Sequence, residues 1–377
     1  MSVWKYDGQH MQYLDIHFLN VGHGDCTFVE FPDRLTMIDI NNCKKLGKES
    51  EAELRRKFAP KPPTTSWRTA AAVAGLATPP VRLSRIGTTL GVPGIPEPQA
   101  RSVSTLAQAL ARVREEEDKK LKETVDRLTD PIDYYKANFA GRPIFRYIQS
   151  HPDMDHMGGL YRLCFQEKIE IVNFWDTKHC IEKDEDAMRT GEVNHEIRDW
   201  YTYLMLRKRA ENLRVLHLTN GAAADFYAAD GISIWAPFDH SQEQNAECNP
   251  NDLSYLLHIR FGQCRIVLGG DAPEQTWEAL HNGNKARGWT FPKVNLLKAS
   301  HHGRNSGYYM PAVRQMSPDL TVMSVGELKA KDDATASYEQ YSRCFSTLQE
   351  GNILARCFVD GDVWLYDQNG KRIATIT

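Results

Sequence analysis

The 377-residue chain contains no run of about 18 consecutive apolar residues, the length a membrane-spanning helix needs, so no membrane partner is expected. Its first residues, MSVWKYDGQHMQY, do not set a basic stretch before an apolar core, and a secretory signal is not expected either. The eight cysteines are scattered and never form a C-x-x-C pair. That spacing argues against a disulfide framework or a thiolate zinc knuckle, and reduced thiols in a cytoplasmic setting are the expectation. A Walker A loop, a G-x-G-x-x-G turn and a G-x-S-x-G elbow are also missing. Their absence argues against the corresponding nucleotide sites and a serine-hydrolase mechanism.

What is present is ordinary for a globular chain: 41% hydrophobic, 25% charged and 10% aromatic residues, which excludes collagen-like, low-complexity and wholly disordered proteins. The formal net charge of −3 hides two unlike parts. Between Lys44 and Arg114, thirteen Lys and Arg stand against four Glu, and eight of the 18 prolines lie between Pro60 and Pro98. Residues 43–129 therefore read as a basic, Pro-rich insertion, closing in a helix over Ser104–Leu128 that Asp130-Pro131 stops. A solvated linker and a surface for phosphate backbones both suit this insertion.

The rest alternates short strands and helices. Leu14–Leu19, Cys26–Phe31 and Leu35–Ile40 read as a strand meander around a Gly-rich turn. Strands follow at Ile144–Gln149, Ile169–Phe174, Leu213–Leu218, Ile232–Ala236, Ser254–Phe261, Cys264–Leu268, Lys293–Ala299, Leu320–Val325, Cys357–Val359 and Val363–Tyr366. Helices are expected over Leu160–Phe165, Glu192–Arg209 and near Tyr338–Glu350. Such a mixture fits an α/β fold of layered sheets with helices outside.

The chemistry concentrates in Ser150-His151-Pro152-Asp153-Met154-Asp155-His156-Met157-Gly158-Gly159. Two imidazoles and two carboxylates within six positions, at the end of a strand, can converge on one or two divalent cations, with Zn²⁺ or Mn²⁺ suited to these donors. The plain alternative is a polar turn capping a helix. Without a cation, however, four ligand-type side chains so close together would repel or lie unsatisfied.

This segment resembles the HxHxDH signature of the metallo-β-lactamase superfamily, in an HxDxDH variant. Val267-Leu268-Gly269-Gly270-Asp271 and Lys298-Ala299-Ser300-His301-His302-Gly303 follow in the superfamily's order. Phe18-Leu19-Asn20-Val21-Gly22-His23-Gly24-Asp25, Met37-Ile38-Asp39 and Asn251-Asp252-Leu253-Ser254 further resemble the soluble ComEC-like metallo-hydrolase domains of DNA uptake. The resemblance covers about residues 14–42 and 144–375.

It implies a four-layer αβ/βα sandwich forming one metallo-hydrolase domain over residues 1–377. It also implies two divalent ions, Zn²⁺ or Mn²⁺, held by His151, Asp153, Asp155, His156, Asp271 and His302. His301 and Asn251 are further possible ligands, and the choice between His301 and His302 stays open. Asp155, Asp153 and Lys298 would be catalytic. Arg304 and Asn305, with Lys298, could grip a phosphate, and Asp25 and Asp39 are expected as supporting or turn-forming acids. His23, Asn41 and Arg304 stand where the motifs usually carry Gln, Gly and Ser.

The implied activity is a metal-dependent phosphodiesterase or nuclease acting on DNA or RNA. A small-molecule hydrolase (of a lactone, thioester or cyclic nucleotide) and a partner-controlled module with a mainly structural metal site are the alternatives.

Overall fold

The computed structural model describes residues 6–7, 11–42, 48–58, 101–190, 196–208, 213–238, 248–326 and 328–377. Ten strands form one sheet, in the order Arg372–Ile376, Val363–Tyr366, Ile353–Phe358, Met11–Phe18, Thr27–Glu30, Leu35–Ile38, Ile144–Ile148, Ile171–Asp176 and Arg214–His217, with Tyr6–Asp7 paired beside Met11–Phe18. A second sheet of six runs Ile232–Ala236, Leu256–Phe261, Cys264–Leu268, Leu296–Lys298, Leu320–Met323 and Arg343–Ser346. Both sheets mix antiparallel hairpins with parallel pairs, the latter including Leu35–Ile38 with Ile144–Ile148 and Cys264–Leu268 with Leu296–Lys298.

The period of two along each strand explains how these sheets pack. Leu14, Ile16, Phe18, Val29, Ile38, Ile148 and Trp175 from the first sheet share one core with Ile234, Leu257, Ile259, Ile266, Leu268, Leu296 and Val322 from the second. The alternate residues face outward under helices. Phe28, Met37, Tyr147 and Phe174 pack with Ile132, Tyr135, Phe139, Trp200 and Tyr203. Trp235, Val267, Leu297 and Met323 pack with Trp277, Leu280, Val313 and Met316. The result is helix, sheet, sheet, helix: the expected four-layer α/β arrangement. A one-residue slip in any central strand would exchange these two faces, so burial itself holds the register.

Several local expectations change. Asp130-Pro131 closes the helix Arg101–Asp126 but also opens Pro131–Phe139. The Asp130 carboxylate accepts from the Ile132 and Asp133 N–H groups, and Pro131 occupies the first turn, where its missing N–H costs nothing. The single helix expected near Tyr338–Glu350 is instead a turn of helix at Thr335–Tyr338, the strand Arg343–Ser346 and a second turn at Thr347–Glu350. Parallel pairing with Leu320–Met323 holds Arg343–Ser346 extended, overriding its local pattern. The aromatic helix spans Ile197–Arg207, and residues 192–195 and 209 of the expected helix lie outside the described residues.

The chain divides into two units, residues 1–53 with 124–377 and residues 54–123. In the second, Arg55 pairs with Asp118 at 2.7 Å and the Lys120 ammonium lies over the Phe58 ring. Of the expected basic insertion, residues 43–47 and 59–100 lie outside the described residues. No helix among the described residues is long and apolar enough to cross a membrane.

Candidate metal centre

The site assembles where strands of both sheets end. Asp39 follows Leu35–Ile38 with a left-handed backbone, φ 57°, and its N–H donates to the Ile148 carbonyl at 2.9 Å. A non-glycine residue in that region is strained, and here the strain is held by three contacts. The Asp39 carboxylate accepts from the Ser150 N–H at 2.7 Å, from His156 Nδ1 at 2.8 Å and from Gln149 Nε2 at 3.4 Å. Gln149 Nε2 also donates to the carbonyls of His151 and His156, at 2.9 and 3.0 Å, folding the His/Asp segment back on itself.

On the second sheet, Asp271 follows Cys264–Leu268 through Gly269-Gly270, where a Cβ on Gly269 would come within 2.3 Å of the Ser300 hydroxyl. His301 and His302 are consecutive left-handed residues, φ 49° and 57°. The first is tied through its N–H to the Gly270 carbonyl at 3.0 Å.

These turns bring His156, Asp271 and His302 together. Asp271 Oδ2 lies 3.4 Å from His156 Nε2 and 3.1 Å from His302 Nε2, while Asp155 Oδ2 is 3.7 Å from His302 Nε2. Asp25, His156, Asp271 and His302 each offer an atom within 4.8 Å of the others, and so do His23, Asp155 and His302. The His151 ring lies 4.2 Å from that of His156, centroid to centroid, tilted at 60°. His301 stands at the edge, its Nε2 4.0 Å from Asp271 and its Nδ1 2.7 Å from the Ser306 hydroxyl. The structure thus brings His302, rather than His301, into the cluster.

Other expected residues sit elsewhere. Asp153 was expected as ligand and catalytic acid, but its carboxylate caps the turn Met154–His156, accepting from the Met154 N–H at 2.8 Å and pairing with Lys183 at 3.0 Å. It is not among the converging donors. Lys298 was expected to grip substrate. Instead it is buried at the end of Leu296–Lys298, its ammonium 2.5 Å from Asp25 Oδ2. Burial opposes both charges of this pair, yet Asp25 is held below the ordinary carboxylate range by Lys298, and Lys298 above its own by Asp25 and Asp271. Asn305 is anchored to the carbonyls of Lys331 and Asp332, both at 2.8 Å. Asn251 is half-buried in the turn Pro250–Leu253, which Tyr255 N–H ties to the Ser150 carbonyl at 3.0 Å.

Arg304 remains beside the cluster; burial is the main cause that depresses His301 and His23 to about 4, and the Arg304 charge adds to it. His23 was not among the expected site residues, yet its Nε2 is 3.4 Å from Asp155 Oδ2. The signal was the imidazole standing in place of the motif's usual amide.

Charge and hydrogen bonding test whether these residues fit a cation. In each of three buried histidines Nδ1 is occupied: by the Ser150 hydroxyl for His151 (2.9 Å), by Asp39 for His156 and by the Ser324 carbonyl for His302 (2.9 Å). Their Nε2 atoms, and Asp271 Oδ1, are buried without a hydrogen-bond partner. Such orphans are costly. An imidazole fixed through one nitrogen, with the other left bare, is the usual arrangement around a metal.

Titration follows the same logic. Burial lowers His156 and His302, but Asp271 and neighbouring carboxylates outweigh it, holding His156 well above its ordinary value and His302 at about 10. Burial also works against Asp155 and Asp271, and the facing imidazoles hold both well below the usual range. A divalent cation would replace these protons. The residues therefore fit the implied metal.

A second grouping, Asp15, His17 and Glu30, lies within the same limit. Its charges are already balanced, because Arg356 clamps Asp15 with two 2.9 Å bonds and Arg142 pairs with Glu30.

No family model matches the chain, and no curated protein matches it. Among solved structures it is similar to the metallo-beta-lactamase fold protein YhfI from Bacillus subtilis, at 8% identity over 88% of this chain and 96% of that one, with a TM-score of 0.37. It is likewise similar to Igni18, a metallo hydrolase from the archaeon Ignicoccus hospitalis, at 11% identity over 90% and 98% of the two chains, with a TM-score of 0.39. On its own geometry, the chain is a four-layer α/β protein whose strand ends hold a buried histidine–aspartate cluster fitted to a divalent cation.

Proposed function

We propose that this chain is a metal-dependent hydrolase of the metallo-β-lactamase superfamily, acting on phosphodiesters of DNA or RNA. The observation that carries the proposal is a set of three buried imidazoles, each pinned through Nδ1 and bare at Nε2, two of which, His156 and His302, face Asp271 at 3.4 and 3.1 Å. His151, His156, His302, Asp155 and Asp271 would hold the metal, Zn²⁺ or Mn²⁺. When bound, it would supply Lewis acidity and lower the pKa of a coordinated water to near neutrality.

The chain's own groups do the rest. Asp39 and the Ser324 carbonyl fix the direction of two ligand nitrogens. Asp155, about one-fifth exposed, is the carboxylate with access both to the cluster and to solvent, suited to orienting an attacking water. Arg304 supplies a planar cation at the cluster's edge, of the kind that binds phosphate oxygens. The basic surplus between Lys44 and Arg114 adds to the reading, as it would favour a polyanion.

One observation favours a small-molecule substrate instead. A cleft of about 750 Å³ at Lys183, the partner of Asp153, carries Glu182, Asp184, Glu185 and Asp186 against Lys183 and Arg207. That surface would repel a polyanion.

Metal analysis joined to a substrate panel tests both readings, with Asp155→Ala as control. Turnover of DNA or RNA that falls steeply with salt and is lost in Asp155→Ala, while the fold is retained, supports the phosphodiesterase. Salt-independent turnover of a lactone, thioester or cyclic nucleotide supports the second reading. A metal-bound chain inert on every class, and unfolded by chelator, would overturn both.

A further inference from the structure

His23 is unused by the ligand set above, and its surroundings give it a role. It sits in the turn after Met11–Phe18, between Gly22 and Gly24, both with positive φ. This turn is bolted to the backbone that carries the Asp155 carboxylate. The Asp25 N–H donates to the Asp155 carbonyl at 3.4 Å, and the amide of the buried Asn41 donates to the carbonyl of His23. Gly24, at φ 107°, approaches so closely that a Cβ there would lie 2.1 Å from the Asp155 carbonyl oxygen. Two residues that depart from the usual motif, His23 and Asn41, are thus coupled through one hydrogen bond.

The side chain so positioned reaches the cluster. His23 Nε2 is 3.4 Å from Asp155 Oδ2, and its ring is 5.1 Å from that of His302, centroid to centroid. His302 is 1% exposed, and its Nε2, without a hydrogen-bond partner, faces the same place. Atoms of His23, Asp155 and His302 all fall within 4.8 Å of one another. Asp155 Oδ2 is 3.4 Å from His23 Nε2 and 3.7 Å from His302 Nε2, spacings that ligands held about 2.0–2.2 Å from one ion can adopt. A third of the His23 side chain stays exposed, so one side of this position is open to solvent.

We propose that His23 is itself a metal ligand, sharing a divalent cation with Asp155 and His302. This rests on the metal-centre reading given above. Its consequence is selectivity: an imidazole in place of an amide oxygen favours Zn²⁺ or Co²⁺ over the oxygen-preferring Mn²⁺.

The test uses the full-length chain stripped of metal and titrated with Co²⁺, Zn²⁺ and Mn²⁺, beside His23→Gln. The variant is expected to bind Zn²⁺ and Co²⁺ at least about tenfold more weakly, with shifted visible Co²⁺ bands and a much smaller change for Mn²⁺. X-ray absorption of the zinc-loaded proteins is expected to show one imidazole fewer in His23→Gln, a readout independent of turnover. Far-UV circular dichroism confirms that the variant folds, and His23→Ala provides a second case. Unchanged Co²⁺ bands, affinities and imidazole count in a folded variant, beside a wild type that binds metal, would overturn the role of His23 alone. A wild type that binds neither Co²⁺ nor Zn²⁺ would overturn the metal centre together with it.

Discussion

Replacing Lys298 with Met separates two roles for this residue. The side chain is 4% exposed and that of Asp25 is 3% exposed, with ammonium and carboxylate 2.5 Å apart. Methionine preserves length and apolar bulk but removes the charge, leaving Asp25 ionised in a site from which water is excluded. Breaking one side of a buried pair in this way costs about 3–5 kcal/mol. The partner change matters as much: Asp25→Asn with Lys298→Met leaves no orphaned partner in this pair and is expected to recover part of that loss, since contacting residues couple by about 0.5–3 kcal/mol. Equilibrium urea unfolding in the presence of chelator, followed by near-UV circular dichroism, measures both without interference from bound metal. A single variant within about 1 kcal/mol of wild type, far below the cost of an uncompensated buried charge, would refute the structural role. So would a double variant no more stable than the single one.

Asp39→Asn keeps the shape behind His156 but weakens the acceptor that fixes its Nδ1. Zn²⁺ affinity, measured by competition with a chelator, is expected to fall about 10- to 100-fold, and an unchanged value would remove Asp39 from the centre. Gly24→Ala places a methyl 2.1 Å from the Asp155 carbonyl oxygen at φ 107°. It should lower the melting temperature and metal affinity together, whereas the exposed Gly370→Ala, with nothing within 4 Å, should spare metal binding.

Asp199 accepts from the Gly159 and Tyr161 N–H groups, yet burial pushes its carboxyl up to about 6. A folded value above the unfolded one means that the folded chain binds the proton more tightly. The corresponding stability is full below about pH 4 and is lost as pH rises through about 6, some ~3 kcal/mol in all. Asp199→Asn should flatten that part of the stability profile, and an identical profile would show that folding does not raise this carboxyl's pKa.

The cluster was legible because its chemistry is local. His151, Asp155 and His156 lie within six positions, and Asp271 and His302 each end an apolar strand. The layering of sheets under helices was legible in the alternation of strands and helices, while the count of four layers came from the resemblance of the motifs to the superfamily. Where the structure differs from these expectations, partners distant in sequence are the cause. Arg343–Ser346 looked helical until Leu320–Met323 paired with it. Lys298 looked like a free cation, but its partner lies 273 residues away. Asp153 matched a ligand position, while its carboxylate pairs with Lys183, 30 residues away.

Residue order alone supplies the inventory of donors, the strand ends that carry them and the period that makes two facing sheets, because each is a property of a few adjacent residues. Direction and charge balance belong to the folded arrangement. Asp39 and Ser324 set which nitrogen of His156 and His302 is left bare, Asp25 neutralises Lys298, and the turn clamped by Asn41 carries His23 to Asp155. Electrostatic and hydrogen-bond energies fall off within a few ångströms. They are therefore decided by which side chains meet in space, and spacing along the chain does not report that.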